Sequence, residues 1–275
     1  MADLDQSSDT PSENAVSRED TVLSEDTALS EDTALSEGVT FSEDAAPLLY
    51  RAASAVFGDR LPLAMRYAEL LADTGVSQGL IGPREGNRLW SRHLLNCAVL
   101  AELIEPNARV LDLGAGAGLP GLPLALARPD LEVVLLESMA RRVAWLRSTI
   151  VELALPVAVV CGRAEQASVR REWNGADVVT ARAVAPLARL AEWALPLLRY
   201  GGRLLAMKGV SAATEAARDR VVVERFGGTA PIVVQCGAKH VEPPTTVIVV
   251  QRSPARAGSR RLERRDKVGS RKTRR

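Results

Sequence analysis

The chain has 275 residues, 47% of them hydrophobic, which is enough to bury the core of one sizeable domain and marginal for two. Its formal net charge of +1 hides a strong polarity, because residues 1–46 hold thirteen acidic residues and one arginine whereas residues 252–275 hold eleven basic residues and two acidic ones. Three cysteines without a CxxC spacing argue against a disulfide framework and a zinc site, and they favour a reducing compartment.

The sequence also bears on where the protein works. The acidic N-terminus lacks the apolar segment of a secretory signal, and no apolar run approaches the roughly 20 residues that span a bilayer. We therefore expect a cytoplasmic protein with no membrane association and no bound metal.

The two ends of the chain differ from its middle in composition. Residues 21–44 repeat a six-residue unit, TVLSED, TALSED, TALSEG and VTFSED, which is too short to form a stackable structural repeat. We interpret residues 1–46 as a disordered acidic tail, with a docking arm for a basic partner as the alternative. We interpret the arginine-rich residues 252–275 as a disordered basic tail, either an RNA-phosphate-binding arm or a solubilising tail. Residues 47–251 remain as the folded domain.

The domain begins with a helical pattern over residues 47–104. An apolar stripe with spacings of 4, 3, 4 and 3 runs through Trp90, Leu94, Cys97, Ala101 and Ile104. Pro106 and Asn107 end this pattern, which predicts a helical cap before the first strand.

Short apolar runs then alternate with helical stretches. The runs cover residues 109–113, 131–136, 157–161, 177–180 and 203–207. Two further runs, residues 231–235 and 245–251, have only a loop between them. This order predicts an α/β fold with a mostly parallel sheet, helices on both faces and an antiparallel closing pair.

Local signals predict where two of the helices begin and end. Ser138 could cap a helix whose buried face contains Val143, Leu146, Ile150 and Leu153. Pro186 could open the next helix at its first position, and residues 201–202, both glycine, could end that helix before the next strand.

The central signal is a glycine-rich loop after the first predicted strand. Asp112 lies two residues before Gly114, and Gly116 and Gly118 follow at alternate positions. Glycines let the backbone turn sharply and let a ligand lie against the main chain. Residues 116–121 also fit a dinucleotide fingerprint, so NAD is the alternative cofactor. An acid so near the first glycine would repel a pyrophosphate, and the pattern is instead similar to motif I of class I methyltransferases. In that motif the acid faces the cationic amino-acid part of S-adenosylmethionine.

Two later positions fit a nucleoside cofactor. Glu137 ends the second predicted strand, where a carboxylate can accept hydrogen bonds from both ribose hydroxyls. Its alternative role is that of an acid favoured at a helix N-terminus. Residues 162–165 follow the third strand, at the place where class I methyltransferases contact adenine.

Five motifs occur in order along the domain. They are Arg92-His-Leu-Leu-Asn, residues 111–124 (LDLGAGAGLPGLPL), Arg163-Ala-Glu, Ala181-Arg-Ala-Val-Ala and Ala206-Met-Lys-Gly. Together they resemble the ribosomal RNA small-subunit methyltransferase G family, RsmG or GidB, over roughly residues 47–251. One departure is Ala181, which stands where the family usually has serine.

The resemblance implies a class I, Rossmann-like methyltransferase domain with a seven-stranded sheet. It implies methyl transfer from S-adenosylmethionine to guanine N7 in 16S ribosomal RNA, as free RNA or in a small-subunit precursor. It places Gly114, Gly116, Gly118, Leu119, Ala164, Glu165 and Arg182 at the S-adenosylmethionine site. It also makes Arg92, His93 and Lys208 candidates for RNA contact, the alternatives being solvated surface residues and, for His93, a satisfied helix histidine. The sequence leaves the oligomeric state open, and we favour a monomer.

Other methylation chemistries fit the sequence less well. Residues 180–183 read Thr-Ala-Arg-Ala, where amino-group methyltransferases need an Asn/Asp-Pro-Pro-aromatic motif. Cytosine-C5 enzymes need a cysteine nucleophile, and we interpret Cys161 as a small buried hydrophobic residue instead. Guanine N7 carries a free lone pair, so we expect no catalytic base. The alternatives are methylation of another RNA or of a small molecule, and a non-catalytic S-adenosylmethionine-binding protein.

Overall fold

The computed structural model describes residues 46–254. The predicted acidic and basic tails lie outside these residues, apart from Ala46 and residues 252–254 next to the domain. Within the described range, no helix has both the length and the apolar character needed to cross a membrane.

Helical segments precede the first strand and form the cap. They are α1 (Pro47–Phe57), a 3-10 turn (Gly58–Arg60), α2 (Leu61–Leu70), a π-helical turn (Leu71–Gly75), a 3-10 turn (Pro83–Arg88), a second π-helical turn (Leu89–Leu95), α3 (Asn96–Ala98) and a 3-10 turn (Val99–Leu103). The predicted stripe is buried except at Ala101, which is partly exposed. The average spacing of the apolar stripe is close to 3.6 residues, because the wider π-helical turn and the tighter 3-10 turn compensate each other. The sequence pattern therefore could not distinguish these turns from one regular α-helix.

Seven strands form one mixed sheet. They are β1 (Arg109–Leu113), β2 (Glu132–Glu137), β3 (Ala158–Cys161), β4 (Ala176–Arg182), β5 (Leu198–Met207), β6 (Ile232–Cys236) and β7 (Thr245–Gln251). Their order is β3-β2-β1-β4-β5-β7-β6, in which the first five strands are parallel and β7 pairs antiparallel with both β5 and β6. The predicted α/β fold with an antiparallel closing pair is confirmed.

Helices cover both faces of this sheet. They are α4 (Gly121–Ala127), α5 (Ala140–Glu152), α6 (Ala167–Trp173), α7 (Leu187–Ala194) and α8 (Ala212–Arg225). Alternate residues of the strands enter two separate hydrophobic clusters, because successive side chains of a strand point to opposite faces. One cluster contains Val133 with side chains of the cap, α4 and α5, and the other contains Val134 with side chains of α6, α7 and α8.

The predicted helix boundaries need two corrections at their starts. Ser138 does not cap α5, because the residue at the cap position is Met139. The carboxylate of Glu137 accepts the N–H groups of Ser138 and Met139 at 2.7 and 2.9 Å. Pro186 stands just before the first residue of α7, where its fixed φ of −58° belongs to the cap position. The predicted buried face of α5 is confirmed.

Two further predictions are wrong. The paired glycines at 201–202 lie inside β5, where the partners of β4 jump from Leu198 to Arg203, and Gly201 has a φ of +79° that suits this bulge. α7 has already ended at Ala194, and a 3-10 turn, Leu195–Leu197, leads directly into β5. Cys161 is exposed, because β3 is an edge strand of the sheet and its last residue is left uncovered.

We propose that the domain folds independently of both tails, because each tail carries a block of like charge that disfavours burial in a packed core. A fragment of residues 46–252 should melt cooperatively with a midpoint within about 3 °C of the full chain, which corresponds to about 1 kcal/mol for a domain of this size. Calorimetry of the two proteins in the same buffer measures this difference. Loss of a cooperative transition in the fragment would show that a tail belongs to the core.

Candidate functional site

The strand order reverses at the carboxyl edge of the sheet, and we call the region outside the ends of β1 and β4 at this switch point the crevice. β1 lies between β2 and β4, and ligands of open α/β sheets bind outside the strand ends at such a switch point. The backbone N–H groups of Gly114 and Ala115 donate to the carbonyl oxygen of Leu136 at 2.8 and 3.1 Å. These bonds hold the glycine loop against the end of β2.

The three alternating glycines of the loop have different surroundings. All have positive φ, +71° at Gly114, +58° at Gly116 and +91° at Gly118. A Cβ atom would come within 2.8 Å of Val184 at the first and within 2.5 Å of Leu122 at the third. At Gly116 the nearest atom would be 3.8 Å away. The loop therefore leaves space for a ligand at Gly116, whereas the other two glycines allow close packing of the protein itself.

Asp112 lies beneath this loop. Its fully buried carboxylate accepts hydrogen bonds from the Gly121 N–H and the Thr180 hydroxyl, both at 2.9 Å. Burial raises the pKa of Asp112 to about 7, and the two hydrogen bonds oppose that shift. The structure thus gives Asp112 the role of joining β1, α4 and β4, and its direct contact with a cofactor stays a prediction.

Tyr67 in α2 supports the loop from the other side. The side chain is fully buried, and its hydroxyl donates to the Ala117 carbonyl at 2.7 Å. Sequence reasoning missed this residue because fifty positions separate the two partners, and no local signal links them.

Glu137 contacts the loop from the end of β2. Its Oε2 atom accepts the Gly116 N–H at 2.9 Å, while Oε1 accepts the two N–H groups at the start of α5. The guanidinium of Arg142 approaches Oε2 at 3.8 Å, and its Nε atom is buried with no hydrogen-bond partner in the described part of the chain. Glu137 therefore has the alternative role, that of an acid at a helix N-terminus. Its contact with a ribose stays a prediction.

The remaining predicted cofactor residues lie along the same edge. Leu119 is partly buried in the glycine loop, and Ala164 is buried just after β3. Glu165 is 45% exposed, and Arg163 approaches it at 3.9 Å. Their contacts with a cofactor stay predictions.

Arg182 ends β4 and joins a polar cluster that comes from the cap. Its Nη2 atom lies 2.6 Å from Nδ1 of His93, and its Nη1 atom donates to the Cys97 sulfur at 3.1 Å. The other ring nitrogen of His93 lies 2.7 Å from Glu85. Burial and the nearby Arg182 charge lower the pKa of His93, and burial raises the pKa of Cys97 to about 11. His93 is thus a buried, satisfied histidine that contacts a predicted cofactor residue.

A cleft of about 1240 Å³ lies beside Arg182, next to the ends of β4 and β5. Its polar lining includes Arg92, Asn96, Arg182, Lys208, Gln235 and His240. The far wall is joined to the cap, since the Thr245 hydroxyl donates to the Asn96 carbonyl at 3.1 Å. The glycine loop is not part of the lining of this cleft, whereas Arg182, at the end of β4, is.

The two other candidates for RNA contact, Lys208 and Arg92, line this cleft but differ in exposure and in their partners. Lys208 is only 14% exposed, and its ammonium donates to the Ala185 carbonyl and to Glu215, both at 2.9 Å. Arg92 is 55% exposed, and among the described residues only Glu85 forms an ion pair with its guanidinium, at 3.9 Å. Arg92 is therefore free to meet a ligand, whereas Lys208 also ties β5 to α8.

Comparison with known proteins assigns the family. The family model described as rRNA small subunit methyltransferase G, GidB, matches residues 60–242, more than half of the chain. A ribosomal RNA small subunit methyltransferase G of Mycobacterium marinum is 52% identical over 219 residues, which are 80% of this chain and 96% of that protein. Its counterpart in Salinispora arenicola is 59% identical over 211 residues, which are 75% of this chain and 87% of that protein. The chain belongs to the rRNA small subunit methyltransferase G family.

A solved structure agrees with the fold of this family member. The S-adenosylmethionine-dependent methyltransferase SibL superposes with a TM-score of 0.51 at 19% identity, covering 79% of this chain and 77% of SibL. At this identity the likeness shows the fold alone.

The open space at Gly116 generates a binding prediction for this family member. Gly116→Val should abolish binding of S-adenosylmethionine and S-adenosylhomocysteine, because its branched side chain would fill the space above the loop. Isothermal titration measures both ligands, and the unchanged protein should bind neither NAD nor NADH.

The matched control is Gly175→Val. Gly175 also has a positive φ, +90°, with nothing within 4 Å of an added Cβ, but it lies before β4 at the opposite edge of the sheet. Both variants carry backbone strain of about 1–2 kcal/mol, so only the loss at Gly116 should extend to binding. Equal affinities in the two variants, or NAD binding tighter than S-adenosylmethionine, would contradict the site.

The raised pKa of Asp112 generates a stability prediction. The folded protein binds this proton more tightly than the unfolded chain, where the pKa is near 3.8. Proton binding at Asp112 therefore makes its full contribution to the free energy of unfolding below about pH 4. This contribution is lost as the pH rises through about 7. Urea denaturation at about pH 5 and about pH 8 should show a larger loss for the unchanged protein than for Asp112→Asn, whose amide does not titrate. An equal pH dependence of the two proteins would refute it.

Proposed function

We propose that this protein transfers a methyl group from S-adenosylmethionine to N7 of a guanine in 16S ribosomal RNA. The family match over residues 60–242 carries the proposal. The neighbouring crevice and cleft, which meet at Arg182, support it because methyl transfer needs a donor and an acceptor side by side.

The residues of the crevice fit S-adenosylmethionine. The space at Gly116 admits a ligand against the backbone, and the carboxylate of Glu137 keeps acceptor capacity beyond its three N–H partners. The unpartnered Nε of Arg142 offers a further donor beside Glu137. When bound, S-adenosylmethionine supplies an electrophilic methyl group on a sulfonium centre. We propose that Gly114, Gly116, Glu137, Ala164 and Glu165 bind its adenosine part, that Leu119 packs against it, and that Arg182 faces its charged end.

The cleft fits a nucleotide of an RNA strand. Its volume of about 1240 Å³ exceeds the roughly 300–1,000 Å³ of typical small-ligand pockets. Arg92, Arg182 and Lys208 give it a basic lining that suits phosphate groups. We propose that these side chains position the RNA and do not contact the reacting ring, because guanine gains positive charge as it accepts the methyl group.

The chemistry at N7 requires alignment more than acid–base groups. The N7 lone pair lies in the plane of the base and attacks without prior loss of a proton, and alignment alone can contribute about 7–11 kcal/mol. The states of the nearest candidates agree with this mechanism. Both ring nitrogens of His93 are engaged, and the Cys97 thiol stays protonated because burial raises its pKa to about 11. Neither side chain is placed to act as a base or as a nucleophile.

The setting of the reaction follows from the same proposal. The substrate is 16S ribosomal RNA or a small-subunit precursor in the cytoplasm, and the enzyme acts as a monomer without a metal. The eleven basic residues of 252–275 can add phosphate contacts, which would make RNA binding more sensitive to salt.

The decisive experiment locates the methyl group. Small-subunit RNA from cells lacking this protein is incubated with enzyme and S-adenosylmethionine, reduced with borohydride and treated with aniline, which breaks the chain at N7-methylguanosine. We expect one new cleavage site, absent when S-adenosylmethionine is omitted and absent with Gly116→Val. Methyl transfer without cleavage would refute N7 and keep the methyltransferase. Binding of S-adenosylmethionine without transfer to any RNA would indicate a non-catalytic protein.

A further inference from the structure

Three polar side chains form a chain of contacts from the cap to the end of β4. Glu85 lies in the 3-10 turn Pro83–Arg88, His93 lies in the π-helical turn that follows, and Arg182 lines the cleft. The contacts measure 2.7 Å from Glu85 to Nε2 of His93 and 2.6 Å from Nδ1 of His93 to Arg182. We propose that Glu85 is a positioning residue that acts through His93 to hold the Arg182 guanidinium in place for an anionic group of the ligand.

Donor and acceptor chemistry fixes the direction of these bonds. A guanidinium only donates, so Nδ1 of His93 must be the acceptor toward Arg182. The proton of the neutral ring then resides on Nε2, which donates to the Glu85 carboxylate. Glu85 thereby selects the one tautomer that can receive Arg182.

The charges around the ring favour this neutral state. The charged groups that face His93 are Glu85 from the 3-10 turn, Arg182 from β4 and Arg92 from its own segment. Burial and the two arginines lower the pKa of His93, while Glu85 raises it. The net shift is downward, so the ring is neutral at pH 7.

The uncharged state of the His93 ring has a consequence for Arg182. Its partners are the His93 ring and the Cys97 thiol, both uncharged, and no described carboxylate forms an ion pair with it. A carboxylate placed directly against Arg182 would cancel its charge, whereas the imidazole orients the guanidinium and leaves the charge available. Glu85 is separated from Arg182 by the imidazole ring. It therefore fixes the orientation of the guanidinium but neutralises its charge less than a directly bound carboxylate would.

The chemical class of the ligand group follows from that free charge. An oriented guanidinium pairs best with a planar or tetrahedral oxyanion. Two sources offer one, the carboxylate of S-adenosylmethionine and a phosphate of the RNA. The identity of this anion rests on the proposed function, whereas the contacts among Glu85, His93 and Arg182 do not.

Two substitutions of Glu85 separate the hydrogen bond from the charge. Glu85→Gln keeps an acceptor oxygen for Nε2, and Glu85→Met keeps the length of the side chain without one. Glu224→Met is the matched control, because it removes an exposed helix carboxylate, paired with Arg220, on α8. Circular dichroism melting verifies that each variant is folded.

The first measurement is the tautomer of His93 by ¹⁵N resonance in the ligand-free protein. The chain has two histidines, so a His240→Asn variant assigns the signals. We expect the Nε2–H tautomer in the unchanged protein and in Glu85→Gln, and a mixture of tautomers in Glu85→Met. An Nδ1–H tautomer in the unchanged protein would overturn the proposal whatever the RNA product is.

The second measurement is affinity. Glu85→Met should either weaken the binding of S-adenosylhomocysteine or raise the KM for ribosomal RNA, by roughly tenfold. This is the usual effect of losing a hydrogen bond to a charged group. Glu85→Gln should stay within about threefold. The affinity that falls identifies the anion as the cofactor carboxylate or as an RNA phosphate. Unchanged values for both ligands would overturn the proposal.

A double-mutant cycle tests whether Glu85 acts through His93. His93→Asn offers Arg182 an amide oxygen near the Nδ1 position, and that oxygen needs no help from Glu85. In this background, Glu85→Met should cost less than about twofold instead of about tenfold. Equal losses in the two backgrounds would show that Glu85 acts by another route, and the proposal would fall.

Discussion

The buried carboxylate of Asp112 lies at the point on which the site depends. It accepts one hydrogen bond from Gly121, the first residue of α4, and one from Thr180 on β4. These two bonds fix the strand, the glycine loop and the neighbouring strand relative to one another. Burial of this carboxylate opposes folding, as its raised pKa shows, and the hydrogen bonds offset part of that cost. Because Arg182 follows Thr180 by two residues, a shift of Asp112 would disturb the crevice and the cleft together.

The two spaces on either side of Arg182 use different kinds of atoms. The crevice offers open space beside the backbone of Gly116, whose N–H is bonded to the Glu137 carboxylate. The cleft is lined by side chains such as Arg92 and Lys208. Backbone groups give a fixed shape to a small ligand that is always the same, whereas long side chains adapt to a strand of RNA. Arg182 ends β4 at the switch point and also lines the cleft, so a change in its orientation would reach both.

Local patterns were sufficient to predict the strands, the glycine loop and the closing pair, because each depends on neighbours along the chain. Contacts between distant segments were beyond such patterns, and Tyr67 and Glu85 were therefore missed. Some local signals were ambiguous in themselves. Paired glycines mark the end of a helix as well as a bulge, and residues 201–202 form the bulge. Ser138 was a plausible cap, but α5 begins one residue later, and the Glu137 carboxylate accepts the N–H groups of Ser138 and Met139.

The walls of the cleft come from both ends of the domain, since Thr245 on β7 is bonded to Asn96 in the cap. The crevice depends mainly on residues 112–165, together with the cap and β4. A ribosome delivers the chain from its N-terminus, so every segment of the crevice is synthesised before β6 and β7 complete the cleft. Under the proposed function, the segments assigned to the methyl donor therefore leave the ribosome before the last segments assigned to the RNA.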